Sequence, residues 1–217
     1  MAWDPEKAVV QAEQYVKDFF KQDASGHDAD HTLRVRRLAE RLAMDEGADR
    51  TVVALAALLH DVDDEKLSPA TAANKENAAR FPEQEESPED TARKVLAIIG
   101  EVSFRGTDSV RPSSAEGRCV QDADRLDALG AIGVARAFAF GGSRGRRLYD
   151  PAEPPRLHMN EKEYRARVST TVNHFYEKLF LLKDMLSTPA ARALAEQREA
   201  FMRAFLDEFY AEWEGQR

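Results

Sequence analysis

One cysteine, Cys119, is present in 217 residues, so an internal disulfide and a thiolate metal cluster are both excluded. That usage suits a reducing compartment, and a cytoplasmic location is the expectation. No run approaches the roughly 20 apolar residues that a membrane helix needs. The N-terminus, MAWDPEKAVV, has no basic stretch leading into an apolar block, so neither a signal peptide nor membrane attachment is expected. An excess of basic charge is also missing. The net charge is −8, which argues against a nucleic-acid partner and towards a small ligand. Alternating strand patterns and internal repeats are absent too.

What is present is helical periodicity from end to end. Asp4-Pro5 reads as an N-cap with proline in the first helical position, followed by Val9, Ala12, Val16, Phe19 and Phe20 at helical spacing. A second helix is expected from about Asp30 to Asp45, with Leu33, Val35, Leu38 and Leu42 as its apolar stripe. The third, TVVALAALLH, is apolar almost all round and should be buried. Ser87-Pro88-Glu89-Asp90 resembles a capping box before TARKVLAIIG. One helix is expected from Cys119 to about Phe138 and a loop from Gly141 to Arg156. Two long helices should follow, about Glu161–Leu186 and Pro189–Trp213, divided at Ser187-Thr188-Pro189. The fold class is all-α, with residues 1–217 expected to form a single domain.

The chemistry-bearing residues cluster on three of these helices. His60 and Asp61 close the wholly apolar one, where buried polar groups need partners. Taken alone, the pair also suits a satisfied core histidine with a C-terminal cap. His31 continues the inward face of Val35, Leu38 and Leu42. Far downstream, QDADRLDALGAIG carries Asp122, Asp124 and Asp127; the last two are three apart and share a helix face. Such acids could equally pair with Arg125 and its neighbours. Together, two imidazoles and two carboxylates form an N/O donor set suited to Mn²⁺, Fe²⁺, Co²⁺, Ni²⁺ or Zn²⁺.

With GHDADHTLRVRRLA, LAALLHDVDDEK and VQDADRLDALGAIG, the H…HD…D pattern resembles the HD-domain superfamily of metal-dependent phosphohydrolases. It is most similar to the stand-alone bacterial members with a DADRLDA segment. NHFYEKLFLLKDML and AEQREAFMRAFLDEFYAEW extend the resemblance over nearly the whole chain. The resemblance implies an HD-type helical bundle and one divalent ion (Mn, Ni, Co, Fe, Zn or Mg) held by His31, His60, Asp61 and Asp124. It also implies Asp64, three residues after the HD aspartate, as the carboxylate that assists the attacking water. The competing reading makes Asp64 a solvated acid in the run Asp63-Asp64-Glu65.

Candidate substrate contacts are His27, one turn before His31, together with Lys66 and Asp127. Arg34, Lys94, Arg105, Arg111, Arg118, Arg144, Arg146 and Arg147 are further cations that could meet phosphate. No histidine lies between His60 and His158, which favours one metal over two. His174 reads as structural. The resemblance implies a nucleotide substrate, with nucleoside triphosphate pyrophosphohydrolysis the leading version. Monophosphatase, phosphodiesterase and a non-catalytic nucleotide-sensing domain are the alternatives, and homodimerisation stays open.

Overall fold

The computed structural model describes residues 3–21, 29–64, 68–102, 110–157 and 169–217, and regular structure among them is entirely helical. The described residues form two compact units, one running to Val102 and including Val110–Asp124, the other from Arg125 onward.

The first unit is built around α3 (Arg50–Leu59), against which α1 (Pro5–Phe19), α2 (Ala29–Glu46) and α5 (Glu89–Val102) pack. Every residue of α3 from Val52 to Leu59 is buried, as its unbroken apolar sequence predicts. At about 1.5–3 kcal/mol per buried Val or Leu side chain, this helix is the main apolar contribution to the unit. Asp49 caps it by accepting from the amides of Thr51 and Val52. Asp4 caps α1 likewise, with Pro5 at the first helical position. Phe20 is buried but Phe19 is 37% exposed, so Phe19 lies outside the expected stripe. The inward face of α2 is also rotated from expectation: His31, Thr32, Val35, Ala39, Leu42 and Ala43 are buried, whereas Leu33 and Leu38 are only half-buried. The small Ala39 and Ala43 belong to the buried face of α2, which packs on α3.

Two local expectations differ. α4 (Glu76–Gln84) was not anticipated from the sequence. α5 starts where expected, but the Ser87 hydroxyl is buried and makes no hydrogen bond, so no capping box forms.

In place of one helix from Cys119 to Phe138 there are α6 (Ala115–Asp127) and α7 (Gly130–Ser143). Gly130 breaks the run with φ +73°, a left-handed geometry favouring glycine. The Arg136 guanidinium donates to Asp127 Oδ2 at 2.6 Å across the bend, and Arg198 donates to the Leu126 carbonyl. Gly133 seals the corner, since a Cβ there would lie 2.2 Å from the Ala128 carbonyl oxygen. Because that obstacle is backbone, Gly133→Ala is expected to destabilise the fold by at least the about 1–3 kcal/mol typical of overpacking. Thermal or urea unfolding would measure it, and an unchanged midpoint would contradict the close approach.

α7 runs three residues into the expected loop, after which 144–157 is the longest continuous irregular stretch among the described residues. Of the helix expected over 161–186, the described part is α8 (Thr171–Glu177) followed by 3₁₀ turns at Leu179–Leu181 and Lys183–Met185. Leu179 and Leu182 are both buried, and the three-residue repeat of 3₁₀ geometry aligns them. α9 (Pro189–Trp213) matches its expected bounds, is capped by Thr188 and packs on α7.

Candidate metal centre

His31 enters from the first turn of α2 and is 1% exposed, while His60 follows the last residue of α3 and is 6% exposed. His60 Nδ1 lies 2.8 Å from the Ala57 carbonyl oxygen. A carbonyl only accepts, so Nδ1 carries the proton and Nε2 presents its lone pair. That Nε2 is buried and makes no hydrogen bond. Its nearest carboxylate oxygens are Asp61 Oδ1 at 3.4 Å and Asp124 Oδ1 at 3.7 Å. His31 Nε2 lies 3.4 Å from Asp61 Oδ2 and 3.3 Å from Asp124 Oδ1.

Donor atoms of His31, His60 and Asp124 all lie within 4.8 Å of one another. Ligands about 2.1 Å from a shared ion are separated from one another by about 3.0–3.4 Å, so these three side chains could hold a divalent cation. An orphaned buried imidazole nitrogen costs about 1–3 kcal/mol, and a cation at its lone pair would remove that cost. Among the described residues this is the one cluster of three or more such donors.

The electrostatics agree. Burial pulls the His60 imidazole down, but the carboxylates of Asp61 and Asp124 outweigh it and hold the ring above its usual value. Burial pushes the Asp124 carboxyl up, yet the adjoining imidazoles of His31 and His60 hold it far below the usual carboxylate range. Cys119 is no competitor, since burial, with nearby Glu46, Asp122 and Glu116, pushes its thiol up to about 12.

Asp64 is half-buried in the turn beyond α3, where its amide donates to the Asp61 carbonyl at 3.0 Å and its carbonyl accepts from Ser68 N. The α-helix does not continue to it, so its direction is set by this turn. Asp127 pairs with Arg136, as described. Lys94 pairs with Asp90, Arg147 with Asp150, and Arg118 donates to the Ser113 carbonyl. Arg144 and Arg146 both stack on Phe140 with 5.4 Å to the ring centroid. His27, Lys66, Arg105 and His158 lie outside the described residues.

The sequence reading missed Asp63. Far from solvated, it is completely buried, and its carboxylate accepts from the amides of Asn77 and Ala78. Nothing in the run Asp63-Asp64-Glu65 signals this, because both partners lie well over ten residues away.

Residues 28–129 match the HD domain family, and they contain all four proposed ligands. The Bacillus subtilis protein YpgQ is 38% identical over 205 residues, covering 92% of each chain. A crystal structure of YpgQ in complex with ADP superposes with a TM-score of 0.76 over 94% of this chain and 97% of that one, at 34% identity. An HD-superfamily hydrolase from Bacillus thuringiensis aligns over 97% and 99% of the two chains at 39% identity, TM-score 0.76. A protein from Lactobacillus plantarum aligns over 97% and 98% at 42% identity, TM-score 0.85. The likeness thus runs through both units and not only through the histidine–aspartate cluster, and it places the chain in the HD-domain superfamily of metal-dependent hydrolases, beside its stand-alone bacterial members.

Proposed function

We propose that this protein is a nucleotide phosphohydrolase that splits a nucleoside triphosphate and water into a nucleoside monophosphate and pyrophosphate. The carrying observation is the convergence of the His31, His60 and Asp124 donor atoms within 4.8 Å, with a buried imidazole nitrogen left unsatisfied. These residues, with Asp61, would hold a divalent ion, which would supply Lewis-acid stabilisation of phosphoryl charge and lower the pKa of water. Asp64 accepts the proton of the attacking water. Asp61 and Asp124 bring the negative charge that holds the cation, and Ala57 fixes the His60 tautomer. The ADP complex of YpgQ supports a nucleotide as ligand. The resemblance to the stand-alone HD hydrolases favours attack at the α-phosphorus, and the chain has no GxxxxGK[ST] loop built to cradle terminal phosphates.

Turnover of a nucleotide panel in ¹⁸O-labelled water, with Mn²⁺, Ni²⁺, Co²⁺ or Mg²⁺, tests this reading. Label in the monophosphate or pyrophosphate, with no free phosphate, is expected. A diphosphate with labelled phosphate, or turnover of monophosphates alone, would replace it with a phosphatase. Nucleotide binding without turnover under every metal would make the protein a sensor.

A further inference from the structure

The turn that follows α3 carries Asp61 and Asp64, and it is tied down from a distance. α4 lacks a cap of its own: its N-cap residue, Lys75, has φ 53° and no side-chain hydrogen bond to the helix. The missing acceptor comes from Asp63, whose Oδ1 accepts from Asn77 N at 3.2 Å and Oδ2 from Ala78 N at 2.8 Å. These are the second and third amides of α4, the pair that a local N-cap side chain would satisfy. The bond is reciprocated, because Asn77 Nδ2 donates to the Val62 carbonyl at 3.1 Å and to Thr71 Oγ1 at 2.9 Å. Val62 and Asp63 are thus both held to one helix end, and they are the two residues between Asp61 and Asp64. A carboxylate with 0% exposure is stable there because two amides and the positive end of the helix dipole face it.

We propose that Asp63, clamped with Asn77 to the N-terminus of α4, is a positioning residue that fixes the direction of Asp61 and Asp64 at the metal centre. The α-helical register ends at Leu59, so it does not set that direction. Asp61 must turn back to bring one oxygen within 3.4 Å of each histidine Nε2. The clamp holds the next two residues while it does so. This inference rests on the proposed function, since it concerns how that site is held.

The test separates positioning from plain stability. Asp49→Ala removes the cap at the opposite end of α3, away from the donors, and serves as a destabilised control. Metal affinity is measured by titration calorimetry with Mn²⁺, well below the unfolding temperature of each variant, alongside kcat and KM. Asp63→Ala is expected to weaken Mn²⁺ binding about 10- to 100-fold, the scale for losing a residue that orients a ligand. Its kcat should fall more than its KM changes, while Asp49→Ala keeps the wild-type affinity. Asp63→Asn retains one acceptor oxygen and should fall between them. It carries the comparison if Asp63→Ala does not fold. Equal Mn²⁺ affinity in the Asp63 and Asp49 variants would reduce Asp63 to a helix cap. A wild-type chain that binds none of Mn²⁺, Co²⁺ or Ni²⁺ would instead overturn the proposed function, and the clamp's role with it.

Discussion

A chain carrying His60→Ala and Asp61→Ala together should hold no divalent ion after dialysis, where the wild type holds about one per chain. The two substitutions remove one nitrogen donor and the carboxylate whose two oxygens face both histidines. His31 and Asp124 alone offer too few donors for tight binding. The loss should therefore exceed the about 10- to 100-fold that follows removal of an orienting partner. The fold should survive, because the apolar residues of α3 from Val52 to Leu59, which form the core of the unit, are untouched. Elemental analysis read against circular dichroism checks both points, and full occupancy in the double variant would refute the ligand assignment.

The wild type should also lose metal as the solution becomes acidic. Protons compete for the His60 Nε2 lone pair, and the neighbouring carboxylates raise that imidazole above its usual 6.5. Affinity should thus fall as pH drops through that region, with Asp124 still ionised.

Asp64→Asn should leave metal content intact and lower kcat by about 10²-fold or more, the usual scale for a general base. At about 1.36 kcal/mol per factor of ten, this is a loss of about 2.7 kcal/mol in the barrier. The substitution preserves size and polarity, and the turn should be undisturbed. The backbone bonds of the turn, from Asp64 N to Asp61 O and from Ser68 N to Asp64 O, do not depend on the side chain. What disappears is the proton acceptor. A variant that keeps both the metal and the wild-type rate would leave Asp64 without a catalytic part.

The helices most legible in the sequence were those with local causes. α1 announces itself through Asp4-Pro5, α9 through Thr188-Pro189, and α3 through an apolar run that only a buried helix accommodates. The candidate ligands were legible for a similar reason: imidazoles and carboxylates on apolar segments need a partner. The misreadings occurred where backbone geometry, which residue periodicity does not encode, decided the outcome. Gly130 in DALGAIG looks compatible with an uninterrupted helix until Gly133 is seen against the Ala128 carbonyl. The segment 179–185 reads as helix by its leucines, yet it winds as 3₁₀ turns that align Leu179 and Leu182.

The all-α class and the amphipathic and buried helices follow from residue chemistry at fixed spacing, and the histidine–aspartate ligand set from the family resemblance that its motifs carry, so both come from the sequence by itself. Residue spacing left Asp122, Asp124 and Asp127 open and the family resemblance pointed to Asp124; tertiary structure then set an Asp124 oxygen beside both histidines. It assigned Asp127 to Arg136 and turned Asp63 from an apparent surface acid into the cap of a helix fourteen residues away. The physical reason is common to all three. A carboxylate's partner is whichever donor the fold brings within about 3 Å, and for a helix-borne acid that choice turns on rotation and bend. Local periodicity leaves both of these open.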